Sequence, residues 1–437
     1  MIARVIELVR ARGDAGDALR RRSERVSVAF ESGRLKSCGA AEETGVNLRM
    51  MVGGRMGVAG TTAEDAQDLV TRAAASAALG ETVPLTFPAA APLPAVLTAS
   101  RAAAEAPLDR LTAIGAELVD RVAREGCQVN VLIEREVTET RLLNTAGADA
   151  SYQSTSVAVG LDLARFAGDD VLFISDLYVG TDLPTAADLD ALVRSIEDRY
   201  TPALRVVTPP DGALPVVFTP SGLSAILLPL EQALSGKTVL QGISPLGAKR
   251  GERLFDERFS LTDDPLVPGR PASRPVDDEG TPSAALPLIA GGVVRGFVYD
   301  LETAARAGAA SSGHGARGTF GKPHVAYSNL ILGKRATASG KRGLGGGLLD
   351  GIADGLLVDD LIGVGQGNVI GGAFSHPVAL AYRVERGEIT GRVKDAAVAG
   401  NVYDLLKRIG AFGDDGRWLS SRWAASLLLE GVAVARR

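Results

Sequence analysis

The chain reads as an α+β protein of two domains, residues 1–205 and 206–437. Three observations predict this. Short alternating apolar runs bounded by glycine turns recur along the chain, as antiparallel strands do. Segments with apolar residues three and four apart fall between them and read as helices. Long parallel βαβ alternation is missing, which removes a doubly wound sheet. At 437 residues with 46% hydrophobic content, the chain is long for one core and comfortable for two.

In the first half, Ile2 to Arg12 has apolar residues at 2, 5, 6 and 9 and predicts a short amphipathic helix. Arg25 to Lys36 alternates and turns at Ser32-Gly33, the start of a hairpin. Gly45 to Ala59 gives two more strands around Gly53-Gly54. Thr62 to Leu79, Ala-rich and opened by Thr61-Thr62, predicts a capped helix. Pro84 to Pro94 reads as an extended connection, and Leu108 to Glu125 as a helix. Strands are predicted at Gln128 to Glu134, Glu136 to Leu143, Ser151 to Leu163 and Leu172 to Val179, with a turn at Asn144 to Gly147. A helix from Ala186 to Arg199 closes this half, giving hairpins covered on one face by helices.

The Pro-Pro-Asp-Gly within Pro202 to Leu214 marks the boundary. Beyond it the reading is β-rich and barrel-like. Strands are predicted within Ser283 to Tyr299 (a hairpin at Gly291-Gly292), His324 to Leu332, Leu356 to Val364, Val378 to Val384 and Glu388 to Val393. A helix at Asn401 to Ile409 is expected to end the domain, with Trp418 to Leu429 packing at its surface. Gly343 to Gly347 lacks the Lys-Ser/Thr of a phosphate loop and reads as a turn.

Composition narrows function. Charged residues are 23% and the net charge is −5, so there is no electrostatic footprint for nucleic acid. Two cysteines, Cys38 and Cys127, make neither a disulfide framework nor a Cys-rich zinc site. Charges threaded through MIARVIELVRARGD argue against a signal peptide. No run approaches the roughly 18 to 20 apolar residues of a membrane-spanning helix. The expected address is the cytoplasm, away from membranes.

The chain is organised around Leu214 to Asp264. A β-branched run, LPVVFTP, feeds SGLSAILLPLEQALSGKTV, a helical segment closing on Ser-Gly. Many hydrolases mount a metal or nucleophile on such a helix, yet this one carries no His, no Cys and a single acid, Glu231. Pro229 within it predicts a kink or an early stop. Around this helix the order of motifs resembles the TldD/PmbA family, and within it the PmbA (TldE) branch. The residues that carry the resemblance begin with Gly45 to Arg49, Gly53 to Gly57 and Asn144 to Gly147. They continue through Ala233 to Gly236, Ser244, Gly247, Leu261 to Pro265, Asp277 to Gly280 and Pro287 to Gly292. Ser328-Asn329, Gly363 to Ser375, Glu388-Ile389 and Ala399 to Asn401 complete the series.

The resemblance implies a specific division of labour. The TldD branch carries His-Glu-x-x-x-His with a distant Cys: two imidazoles and a thiolate hold zinc, and the carboxylate takes a proton from bound water. Aligned through Leu227-Leu228, the His positions fall on Pro229 and Leu234 and the Glu position on Leu230. Glu231 is one step late, roughly 100° away around a helix. The resemblance therefore implies a metal-free, catalytically silent subunit with no cofactor of its own. A TldD-like partner would supply the zinc, and the pair would enclose and hold peptides for proteolysis or natural-product maturation. A peptide held in this way adds as a strand through its main chain.

Four residues are candidates for substrate contact: His314, Arg317, His324 and His376. Arg317 matches a basic position near the family's peptide-binding region and offers paired donors to a carbonyl or carboxylate. Its other reading is a solvated turn arginine. The three histidines lack i, i+4 spacing and sit beside Gly or Pro, so turn or surface roles are expected over a His₃ metal site. Asp277, Asp278 and Glu279 read as a solvated acidic run. Ser235 and Ser312 lack an elbow or a placed His, and Cys38 reads as an ordinary thiol. Two further readings stand beside the silent subunit. One is a stand-alone homodimeric binding module, which includes the older description of such proteins as modulators of DNA gyrase. The other is an enzyme of altered chemistry in natural-product biosynthesis, using these histidines and Arg317.

Overall fold

A computed structural model describes residues 1–333, 335 and 343–436. It is mixed α+β, about 21% helix and 42% strand. Helix α1 (Ile2–Ala11) buries Ile2, Val5, Ile6 and Val9, the stripe its spacing predicts. Then come β1 (Ala15–Glu31), β2 (Arg34–Val52), β3 (Arg55–Thr61), α2 (Ala66–Ala77), α3 (Arg101–Ala104) and α4 (Leu108–Val122). Next are β4 (Cys127–Asn144), β5 (Asp149–Ala167), β6 (Asp170–Gly180) and α5 (Ala186–Ala203). The six strands form one antiparallel sheet in the order β3-β2-β1-β4-β5-β6.

The hairpin turns at Ser32-Gly33 and Gly53-Gly54 lie where expected, with positive φ at all four residues. Two local expectations fail. Residues 128–143 are one unbroken strand rather than two, because Arg135 stays in register between Val26 and Val157. The cap of α2 is Asp65, whose carboxylate accepts from the Asp68 N–H, and not the Thr61-Thr62 pair. Helix α5 also continues through Pro202 to Ala203.

The second half opens with β7 (Val206–Val207), β8 (Gly212–Phe218), α6 (Ser224–Ala233), α7 (Gly236–Leu240), β9 (Leu261–Asp263), β10 (Leu286–Ala290) and β11 (Val293–Val294). It continues with α8 (Leu301–Ala307), β12 (Gly315–Ala316), β13 (His324–Val325), β14 (Leu330–Leu332), β15 (Asp354–Leu361) and β16 (Ala373–Glu385). The last elements are β17 (Glu388–Val393), β18 (Ala396–Asn401), α9 (Val402–Leu405), β19 (Ile409–Phe412), β20 (Arg417–Leu419), β21 (Arg422–Ala424) and β22 (Leu427–Arg436). Strands β15, β8, β22, β18 and β16 pair in succession, and the β15–β16 pairing closes them into a five-stranded barrel.

Two expectations for the chain's end are corrected. The helix near Asn401 spans only Val402–Leu405, and it does not end the fold. Residues 427–436 are a barrel strand between β8 and β18, so Leu427 and Leu429 are core residues. Their β-sheet partners are remote in sequence, which is why a local reading put them at the surface.

Helix α6 is core. Ile226, Leu230 and Leu234 share one hydrophobic cluster with Phe218, Leu356 and Leu427 of the barrel. Pro229 sits inside α6 without ending it. It is the sixth of ten helical residues, so its missing N–H withholds the i+4 donor from the Ala225 carbonyl, and the burial of α6 in the core offsets that cost. The two halves also share a core. Leu189, Leu192 and Ile196 of α5 pack in one cluster with Val217, Leu357 and Tyr382. Among the described residues, no helix is long and apolar enough to cross a membrane.

Candidate functional site

The acidic run expected in solvent is buried. Asp277, Asp278 and Glu279 are 1%, 2% and 0% exposed. Burial is tolerated because backbone donors converge on each carboxylate. Asp277 Oδ1 accepts from the Glu279 and Thr281 N–H groups at 3.0 and 2.8 Å, and Oδ2 from Gly315 N–H at 2.9 Å. Asp278 Oδ2 accepts from the Arg317 N–H at 2.9 Å, and its Oδ1 pairs with Arg21 Nη2 at 2.5 Å. Glu279 accepts from the Leu301 N–H at 2.6 Å and pairs with Arg49. The run is therefore a folded turn, closed by Gly280 at φ +90°, and the alternating-strand picture does not apply.

That turn docks on the first sheet through buried charges. Arg49 of β2 pairs with Asp17 of β1 at 2.6 Å, and Arg317 donates to the same Asp17 at 2.9 Å. Arg317 is 2% exposed, which removes the solvated-turn reading. Next to it, the Asn47 side-chain amide donates to the Thr319 and Gly321 carbonyls at 3.2 and 3.0 Å. A Cβ on Gly60 would lie 2.0 Å from the Thr319 carbonyl oxygen, so this loop needs glycine beneath it.

Four carboxyls here (Asp17, Asp277, Glu279 and Asp300) face three guanidiniums, those of Arg49, Arg317 and Arg274, and one carboxyl gives way. Burial first, opposed by Arg49 and reinforced by Asp277 and Asp300, pushes Glu279 up to about 7. Burial also raises Asp277, with Arg274 and the turn N–H groups opposing it. For Arg49, burial pulls down, but Asp17 and Glu279 more than offset it and hold the guanidinium charged.

Beside this clasp lies a cavity of about 700 Å³ between the open face of the first sheet and the loops of the second half. Thr138, Thr140, Tyr152 and Ser154 line one wall. Arg21 of β1 stands on the same sheet, while Asp278, Arg274, Tyr327 and His324 line the other side, with Ser420 and Ser421 also in the lining. The lining is rich in hydroxyl and guanidinium groups, which suits a polar ligand with main-chain amides. The Tyr327 O–H donates to the Glu231 carbonyl at 2.6 Å, so this cavity abuts α6.

A second cavity of about 360 Å³ lies on another side of α6, lined by Leu228, Pro229, Gly363, Gln366, Phe374 and His376. His376 stacks on Phe374, ring centroids 5.9 Å apart, and burial lowers its pKa. Leu230 and Leu234 are fully buried and line neither cavity. Glu231 pairs in a fork with Arg422 at 2.7 and 2.8 Å.

The four candidate residues are thus dispersed. Arg317 and His324 line the larger cavity, and His376 lines the smaller. His376 and His324 sit in strands, not loops. His314 is neither at the surface nor in a free turn. It is 1% exposed, its Nε2 3.2 Å from Asp263 Oδ1 and its Nδ1 2.8 Å from the Ser312 carbonyl. Ser328 holds the same Asp263 from the other side. Among the described residues, no three His, Cys, Asp or Glu side chains converge as a metal-holding group. Sequence reasoning missed Arg21, Tyr152 and Arg274. Each is unremarkable locally and gains meaning only from the sheet-to-loop packing.

Comparison with known proteins completes the picture. Residues 211–436 match the model of the PmbA/TldA metallopeptidase C-terminal domain, and residues 16–77 match that of PmbA/TldA metallopeptidase domain 1. A metalloprotease of Methanothermobacter thermautotrophicus is 28% identical over 285 residues, 64% of this chain and 61% of that protein. A Haemophilus influenzae protein named a metalloprotease PmbA homolog is 28% identical over 224 residues, 51% of this chain and 46% of its own length. The chain thus spans about half to three-fifths of these relatives. The crystal structure of TldE from Thermococcus kodakarensis superposes with a TM-score of 0.88 at 23% identity, covering 99% of each chain. That likeness is one of fold.

Proposed function

The chain belongs to the PmbA/TldD metallopeptidase family, and from that premise we propose that it is a TldE-like, catalytically silent subunit. It would pair with a TldD-like zinc peptidase in the cytoplasm and hold peptides for cleavage or maturation. The observation that carries this reading is the chemistry of α6. Pro229, Leu230 and Leu234 stand where the TldD branch has His, Glu and His, and none offers a donor. The cavity at Pro229 is reached by one imidazole, His376, and by no carboxylate or thiolate among the described residues. That donor set does not fit a catalytic zinc, which takes three protein ligands and an open position. Both cysteines lie in the first half, away from this cavity.

The larger cavity supports the holding role, since hydroxyls and guanidiniums recognise peptide main chain with little sequence readout. The same cavity, built within one chain, favours as a second reading a homodimeric module that binds peptide without cutting it. The test is mild affinity purification of the tagged chain from its own host, with mass spectrometry and zinc analysis. A one-to-one companion carrying His-Glu-x-x-x-His is the expected result. A chain recovered alone as a dimer favours the second reading. A purified single chain that holds stoichiometric zinc and cleaves casein overturns both.

A further inference from the structure

Ion pairing in and around the larger cavity is nearly complete, and the exceptions lie together. Arg21 is matched by Asp278, Arg317 by Asp17, and Glu136 by Arg25. Arg274 lines the cavity and has no carboxylate within ion-pair reach among the described residues. Its Nε is buried without a partner, and its Nη2 makes only a long 3.4 Å contact to the Gly313 carbonyl. Four residues earlier on the same loop, Arg270 also lacks a carboxylate. Its Nη2 donates to the carbonyl of Ser420, a cavity residue, at 2.6 Å. Arg270 and Arg335 both lie over the Trp418 ring, 4.5 and 5.4 Å from its centroid. Burial, with Arg335 adding repulsion, lowers Arg270 to about 10, so it stays charged at neutral pH.

Arg274 in the cavity wall acts on the buried Asp277 only from beyond ion-pair reach. Arg270 and the exposed Arg335 stand beside the Ser420 end with no carboxylate in ion-pair reach among the described residues, so an anion would be drawn to this end. Arg317 is not that subsite. Its Nε and Nη2 are unpartnered but sealed from contact, and its Nη1 is taken by Asp17. We propose that the Arg270–Arg274 loop, with Arg335 beside it, is a carboxylate subsite of the cavity. Arg274 would bind the carboxylate inside, and Arg270 and Arg335 would draw it in. The carboxylate is that of a peptide, from its chain end or from an acidic side chain near that end. This assignment rests on the reading of the chain as a peptide holder. It adds a polarity to that reading: the carboxylate end of the peptide lies toward Ser420.

The probe is a fluorescein-labelled pool of randomised octapeptides, made as free acids, as C-terminal amides, and as amides ending in Asp. Binding to the full-length chain is followed by fluorescence anisotropy. The free-acid pool should bind at least tenfold tighter than the plain amide pool. Arg274→Gln should bring that ratio close to one, whatever it does to amide affinity, and Arg274→Lys should keep part of it. Raised salt should narrow the ratio in the wild type. An Asp-amide pool that matches the free acids assigns the subsite to any terminal carboxylate; one that matches the plain amides assigns it to the chain end. Equal binding of acids and plain amides, or a ratio unchanged in Arg274→Gln, overturns the subsite and leaves peptide holding intact. Failure of every pool to bind removes peptide holding by the free chain, and the subsite with it.

Discussion

Arg49 on β2 donates to Asp17 on the adjacent strand at 2.6 Å and to Glu279, 230 residues further along the chain. All three side chains are at most 1% exposed, so the pairing is a buried joint between the first sheet and the second half. Such joints are weak evidence of net stabilisation, because desolvation opposes the Coulomb gain. Breaking one is a different matter.

Arg49→Met should destabilise the chain by about 3–5 kcal/mol, since it strands Glu279 without the one cationic partner it has among the described residues. Asp17 would keep Arg317, so the double variant Arg49→Met, Glu279→Gln should cost clearly less than the sum of its parts. Urea unfolding followed by circular dichroism measures both. A single-variant loss below about 1 kcal/mol would show that the joint is not a clasp.

Glu279 also sets a pH dependence. Its carboxyl titrates at about 7 in the fold, against about 4.3 in an unfolded chain. Between those values the folded state keeps a proton that the unfolded state has lost, so this group's contribution falls as pH rises. It is fully present below about 4.3 and gone above about 7, and amounts to at most roughly 4 kcal/mol. His376 acts oppositely, because burial lowers its pKa and favours folding as pH rises toward about 6.5. Comparing wild type with Glu279→Gln cancels His376 and the other groups remote from Glu279, while Asp277 and Asp300, which press on its carboxyl, shift with it. The stability advantage of wild type over the variant should shrink from pH 4.5 to 7. An advantage constant across that range would contradict the assigned shift.

These residues mark the limit of what local reading supplies. Hairpin turns at Ser32-Gly33, Gly53-Gly54 and Gly291-Gly292 were legible because glycine and left-handed backbone are local facts. The amphipathic stripes of α1 and α4 were legible for the same reason. Asp277 to Glu279 were not, because their acceptors are satisfied by Gly315, Arg317 and Leu301, on later loops. The barrel-like reading of the second half held, but its strand order was not legible, since β8 pairs with β15 and β22 across more than a hundred residues. Arg317 was singled out as a candidate for substrate contact; it lines the larger cavity and also pairs with Asp17. Arg274, which faces the cavity with no carboxylate in ion-pair reach among the described residues, carried no local signal at all.

Gly60→Ala tests the docking of the 317–321 loop from the opposite side. The new methyl would meet the Thr319 carbonyl oxygen at 2.0 Å, and backbone cannot yield as a side-chain tip does. The loop must lift, loosening the Asn47 contacts and the Arg317 pair with Asp17. A loss of about 1–3 kcal/mol is expected, with faster amide exchange at residues 317–321. Unchanged exchange there would mean that the sheet accommodates the methyl elsewhere.

Glu231 offers the sharpest check on catalytic silence, because it is the single acid on α6. A general base must reach the water it deprotonates. Glu231 instead forks onto Arg422, lines neither of the two cavities, and gives its backbone carbonyl to Tyr327. Its partner is 42% exposed, so solvent screens the pair and Glu231→Gln should cost no more than about 1 kcal/mol. The amide keeps one acceptor for Arg422, and the backbone bond from Tyr327 is untouched. In the proposed complex with a zinc-bearing partner, peptide hydrolysis should proceed with unchanged kcat and KM. A variant of normal thermal stability whose kcat falls a hundredfold would make Glu231 a working base. The silent-subunit reading would then be lost, whatever the sequence of α6 implies.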